Sequence, residues 1–197
     1  MAYPFPFVAG NILTAAELNA LETVDNLGYV SGEYYGTSHG SSTLLSTAVG
    51  EDVTFYVPFY VTDTATFDRI AIRTGTSFSG SGIVRMGIYN AGTAGKPTTV
   101  VLDAGTVAVT AASTVYAITI SQSLNTGWYY LAFNSQTAAT TNSYANTTSL
   151  VLPFPVQWST GFVQSPSYTE TGVTGAFATA GTVNKTNNSF IILLRKT

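Results

Sequence analysis

Ile83-Val84-Arg85-Met86-Gly87-Ile88-Tyr89 runs directly into Asn90-Ala91-Gly92-Thr93-Ala94-Gly95-Lys96-Pro97. In the first seven residues Val84, Met86 and Ile88 share one parity and Arg85 takes the other, which is the period of a strand with one face turned inward. The next eight are turn formers. Val100 to Val109 then predicts one or two short strands around Asp103-Ala104-Gly105.

The same period extends outward in both directions. Upstream, Glu51 to Val57 predicts a strand continuing through Phe59-Tyr60-Val61, with Pro58 marking an edge or a bulge. Phe67 to Arg73 predicts another, with Ile70 and Ile72 on one face. Downstream, Tyr116, Ile118 and Ile120 alternate with Ala117 and Thr119, Leu124-Asn125-Thr126-Gly127 makes a turn, and Trp128 to Phe133 is a strand with bulky residues on both faces. Residues 134–149 read as a long loop, and residues 159–189 are rich in Gly, Thr and Ser. Phe190 to Leu194 is a closing apolar strand. Eight or so short strands between turn signals predict an all-β chain, a β-sandwich of jelly-roll-like form.

The N-terminus differs. Tyr3-Pro4-Phe5-Pro6-Phe7 excludes a helix and predicts an extended arm. Residues 14–26 predict one short α-helix. Thr14 and Glu17 stand at capping-box spacing, Leu18, Leu21 and Val24 share a face, and Gly28 is a stop. A helix this short is marginal alone and needs a surface for its leucines. That surface is either its own β domain or copies of itself and an assembly. The chain therefore divides into residues 1–28, arm and helix, and residues 29–197, the β domain.

Composition limits the function. Of the 197 residues, 45% are hydrophobic and 13% aromatic, ample for a core, while only 9% are charged. The net charge is −3 with lysines and arginines scattered, which argues against nucleic acid. There is no cysteine, so disulfides and cysteine-based metal sites or nucleophiles are excluded. Met1 to Asn11 has no positive n-region and no long apolar stretch, and predicts no secretory signal. No apolar run reaches a bilayer span, so no membrane insertion is expected.

Catalytic constellations are sparse. His39 is the single histidine, in Gly36-Thr37-Ser38-His39-Gly40, and reads as a loop residue. The ten acids form no diagnostic pair for glycoside hydrolysis, and Asp63 and Asp103 sit near turns, where aspartate bonds its own backbone. No calcium or phosphate loop is present, and no cofactor is expected. A protein that works through its surfaces, without enzymatic activity, is the expectation. The strongest contact signal is aromatic. Tyr129, Leu131 and Phe133 share one face of their strand, leaving Trp128 and Tyr130 on the other. There they are either core or a surface for a sugar or a protein partner. Trp158 is a further contact candidate.

Phe7-Val8-Ala9-Gly10-Asn11-Ile12-Leu13-Thr14-Ala15-Ala16-Glu17-Leu18-Asn19-Ala20 resembles a segment near the start of many tailed-bacteriophage virion proteins, of the form Gly-x-x-Leu-Thr-Ala-x-x-Leu-Asn. Phe67 to Ile70, Val84 to Asn90, Lys96-Pro97, Leu102 to Val107 and Gly127 to Ala132 together resemble a β-sandwich module of phage minor structural and tail-associated proteins. The two resemblances cover roughly half the chain. They imply a structural protein of the virion: a fibre, tail component or capsid decoration, possessing no signal peptide and carried on the extracellular particle. They further imply attachment to other virion proteins or sister subunits through Tyr3, Phe5, Phe7, Leu13, Leu18, Leu21 and Val24, and a homo-oligomer of trimeric form. The alternative reading is a carbohydrate-binding module for host-surface glycan, carried by Trp128, Tyr130 and Trp158.

Overall fold

In the computed structural model the alternation at 83–89 becomes a strand of a six-stranded sheet, between an edge strand and a central one. The structure describes residues 28–36, 45–137, 143–147, 157–159, 162–164 and 167–197. The described residues are all-β, in fifteen strands. They are β1 (Tyr34–Gly36), β2 (Leu45–Ala48), β3 (Val53–Val61), β4 (Ala65–Arg73), β5 (Gly82–Ala91), β6 (Pro97–Val109), β7 (Val115–Leu124), β8 (Gly127–Thr137), β9 (Ser143–Thr147), β10 (Gln157–Ser159), β11 (Phe162–Gln164), β12 (Ser167–Thr171), β13 (Asn184–Thr186), β14 (Ser189–Phe190) and β15 (Ile192–Lys196). The helix expected at 14–26 and the arm before it lie outside the described residues, as does His39.

Four antiparallel pairs nest inside one another along the chain: β5 with β6, β4 with β7, β3 with β8, and β1 with β15. The chain thus doubles back as one long hairpin whose tip is the 92–96 turn, where Gly95 takes a φ of 66°. Side pairings of β4 with β15 and β5 with β8 roll that hairpin into two sheets. Their orders are β1-β15-β4-β7 and β13-β12-β3-β8-β5-β6, and a small sheet β14-β9-β2 and a β10-β11 pair complete the set.

The period-two pattern explains the core. Phe55, Val57, Phe59 and Val61 of β3, Val84, Met86 and Ile88 of β5, and Leu131 and Phe133 of β8 turn from the large sheet into one apolar cluster. Phe67, Ile70 and Ile72 of β4 and Ile192 and Leu194 of β15 enter the same cluster from the other sheet. Each such side chain is worth about 1.5–3 kcal/mol of burial. Phe55, Phe133 and Phe190 form an aromatic triangle with centroids 4.5–5.4 Å apart, which brings β14 onto the core.

Three readings of the sequence are corrected and one left open is resolved. The 134–149 stretch is not one loop: β8 runs to Thr137, and Ser143–Thr147 is β9, paired with β2 and β14. Its Ser143 and Asn146 are buried, meeting the Ser46 and Thr47 hydroxyls of β2, so polar residues here line a strand. Residues 100–109 belong to a single thirteen-residue strand, β6, kinked by register shifts. Asp103 stands at one of these bulges rather than at a turn, although it does accept the Gly105 amide at 3.1 Å. The closing segment is divided at Ile191 between β14 and β15, which belong to different sheets. Among the described residues the ladder of β3 with β12 ends at Tyr56, two residues before Pro58, which is itself buried.

Candidate functional site

Strands β3, β5 and β8 carry bulky residues on both faces because both faces are covered. Opposite the main core, Tyr56, Tyr89, Tyr130 and Ala132 form a second buried cluster with Tyr168 and Phe177. The cover is the hairpin of β12 and β13, whose connecting residues 172–183 fold down over the outer face of the large sheet as a strap. Such a loop, with paired ends and a packed interior, holds its shape by its own contacts.

The strap is tied at each turn. The Val173 amide donates to Asp52 O (3.0 Å) and the Ala180 amide to Thr98 O (2.8 Å). The Tyr89 hydroxyl donates to Ala178 O at 3.0 Å, Asn134 Nδ2 to Val173 O at 3.0 Å, and Gln136 Nε2 to Gly175 O. Arg85 Nη1 grips both oxygens of Asp103 at 2.7–2.8 Å, and Asp103 Oδ2 in turn accepts the Phe177 amide at 3.1 Å. Phe177 then lies against Tyr89, centroids 5.6 Å apart. It fits because position 87 is glycine: a Cβ there would stand 2.7 Å from the Phe177 ring.

Between strap and sheet is an open cleft of about 240 Å³ lined by Tyr56, Tyr89, Glu170 and strap residues 172–179. Glu170 accepts the Tyr56 hydroxyl at 2.6 Å on Oε2 and the Gly181 amide at 2.9 Å on Oε1. Burial, joined by the Glu170 hydrogen bond and charge, holds the Tyr56 hydroxyl far above the usual phenol range. Burial likewise raises Tyr89 and Tyr130. These hydroxyls are protonated donors: Tyr89 fastens the strap directly and Tyr56 through Glu170, while Tyr130 holds the tip of the β5–β6 hairpin.

The contact candidates separate. Tyr130 is fully buried, its hydroxyl donating to Gly95 O at 2.5 Å at the tip of the β5–β6 hairpin. Of the two readings open for it, it takes the core one. Trp128 pairs in register with Tyr60 beyond the strap, ring centroids 4.7 Å apart and tilted by 49°, and Tyr60 is 41% exposed. Trp158 lies on β10 opposite Val163 of β11. Tyr3, Phe5, Phe7, Leu13, Leu18, Leu21 and Val24 lie outside the described residues. Tyr56, Glu170, Asp103 and Phe177 were not legible as one cluster from sequence. The available signal was the doubled bulk of Phe55-Tyr56 and Tyr129-Tyr130, which announces two-sided burial without saying what does the covering.

Among the described residues no group of three His, Asp or Glu stands close enough to hold a metal ion. No family model, curated protein or solved structure matches the chain.

Proposed function

We propose that this chain is a structural protein of a tailed-bacteriophage particle. In this reading it is a fibre- or tail-associated or capsid-decorating appendage, held by residues 1–28 with its β domain projecting outward as part of a homotrimer. One observation carries the reading beyond the sequence resemblance. β1, the first strand after the attachment segment, is zipped to β15, the last: Tyr34 faces Arg195, the Gly32 amide donates to Lys196 O, and the Lys196 amide to Glu33 O. Both ends of the β domain therefore lie side by side at one sheet edge, closed by the pairing of its first and last strands. The nested order of four antiparallel pairs supports a jelly-roll sandwich, an architecture that viral capsid and lectin domains share. The strapped second face makes the domain covered on both sides of its larger sheet, which suits a persistent extracellular particle.

Removal of residues 1–27 is the test. The shortened chain should keep its β circular-dichroism spectrum and cooperative melt yet fail to co-sediment with particles. Normal incorporation of a folded truncation sinks the reading.

The Tyr60–Trp128 pair favours a second function on the same scaffold, recognition of a host-surface carbohydrate, since tilted rings on a rim stack on sugar faces. Tyr60→Ala should then lower binding to host glycans with little change in melting temperature. Unchanged glycan binding removes this second function.

A further inference from the structure

We propose that the outer face of the four-stranded sheet is the docking surface for the acidic N-terminal segment, residues 1–27, of a second copy of this chain. The inference rests on the reading of that segment as the attachment element, and adds its receptor.

The face is built by alternation. Ile70, Ile72 and Leu194 turn into the core, so Arg69, Arg73 and Arg195 turn outward. Tyr34 joins them, with the Arg195 guanidinium 5.9 Å from its ring centre. Three of the chain's seven lysines and arginines thus share one sheet face. Arg69 and Arg195 even stand directly opposite each other across β4 and β15, where like charges repel. The only acid in these four strands is Asp68, placed beside them by a register shift. It binds Arg195 at 2.6 and 2.9 Å and reaches Arg69 at 3.6 Å. One carboxylate against three guanidiniums leaves the face at +2, within a chain of net charge −3. Among the described residues Arg73 has no ion pair. Beside this charge runs a flat, uncharged strip on β7, where Val115, Ala117, Thr119 and Ser121 are exposed.

The complementary surface is in the same chain. Residues 1–27 hold Glu17, Glu22 and Asp25 and no lysine or arginine, with Leu18, Leu21 and Val24 interleaved. Acid and leucine together match a basic face flanked by an uncharged strip. A second copy is taken as the source because Tyr29, just after the segment, lies on the other face of β1 from the arginines. Tyr29 packs its ring on Phe67 at 5.3 Å, accepts the Thr62 amide and donates to Tyr60 O. Residue 29 is thereby fixed toward the core and the end of the large sheet, on the opposite side of β1 from the arginines.

The test uses the full-length chain and light-scattering mass in low and high salt. The wild type should self-associate, less so as salt shortens the screening length from about 30 Å at 0.01 M to about 3 Å at 1 M. R69E/R73E should weaken association at least about tenfold. A mixture of R69E/R73E with E17K/E22K/D25K should associate again, because each supplies the charge that the other has reversed. A wild type that is monomeric in low salt, a double variant with wild-type mass, or an equimolar mixture that stays monomeric each overturns the proposal. Should R69E/R73E lose its β spectrum, Arg73→Gln carries the same test, with weaker association expected and wild-type association overturning it. The chain lacking residues 1–27 separates the two failures. If it is monomeric while R69E/R73E still associates, the segment attaches elsewhere and only the docking face is wrong. If it associates as fully as the wild type, attachment between copies through the segment is wrong as well.

Discussion

Gly87 and Tyr130 show how single positions decide what covers the large sheet. Ala at position 87 would bring its methyl within 2.7 Å of the Phe177 ring and 2.6 Å of Leu102 O. Gly87→Ala should therefore cost about 1–3 kcal/mol in denaturant unfolding, the range for overpacking a filled site. Tyr130→Phe should cost about 1 kcal/mol for the bond to Gly95, whereas Tyr130→Ala should cost about 3–5 kcal/mol as a core cavity. Equal, negligible costs for the two Tyr130 variants would contradict its burial. The sequence read Tyr130 as either core or contact, and it had no means to choose. Alternation along Trp128 to Phe133 assigns each side chain to a face, but the residues that cover the second face are about forty positions away in a stretch without strand periodicity.

The strap is where an element carries a measurable prediction. Asp103 clamps it by holding Arg85 and the Phe177 amide together, with both charged side chains about one-fifth exposed. Asp103→Ala should destabilise by about 2 kcal/mol, between exposed and buried pairs, and should speed amide exchange across 172–181 before the rest of the domain. Uniform exchange would contradict the clamp. The tyrosines beneath set a pH limit. Unfolded tyrosines ionise at about pH 10, while burial keeps Tyr56, Tyr89 and Tyr130 protonated well beyond it. Their contribution is full below that pH and is lost as pH rises through the alkaline range. Ultraviolet titration should show a late tyrosinate step coinciding with unfolding; early, complete ionisation of a still-folded domain would contradict it. At this scale the strands with clean alternation, β4, β5 and the middle of β7, were legible. β9 was not, because its buried residues are Ser143, Ala145 and Asn146 around a lone aromatic, Tyr144, a composition that reads as loop until the hydroxyls of β2 are brought opposite. The bulges of β6 were equally hidden, since Asp103-Ala104-Gly105 has the residues of a turn and only the neighbour β5 makes it a strand.

For the whole molecule, sandwich-like all-β character could be read in advance from strand count and turn spacing, while the nested pairing depends on long-range partners that no local period encodes. The pairing of β1 with β15 brings the two ends of the β domain together at one sheet edge, and the sequence ahead of that domain is acidic and leucine-bearing. Asp68 helps hold that junction. The Arg195 hydrogen bond keeps its carboxyl below the usual carboxylate range, so its stabilising effect is present at neutral pH and is lost as pH falls through that lowered value. Asp68→Asn should lower the melting temperature at neutral pH and much less in strong acid, where the wild-type carboxyl is itself protonated. The most direct measurement of the central claim is a side-chain-resolved reconstruction of the particle. The expected result is this chain present in symmetric copies, with residues 1–27 buried against neighbouring subunits and the β domain projecting. A particle without the chain, or one that grips the β domain and leaves residues 1–27 in solvent, would contradict it.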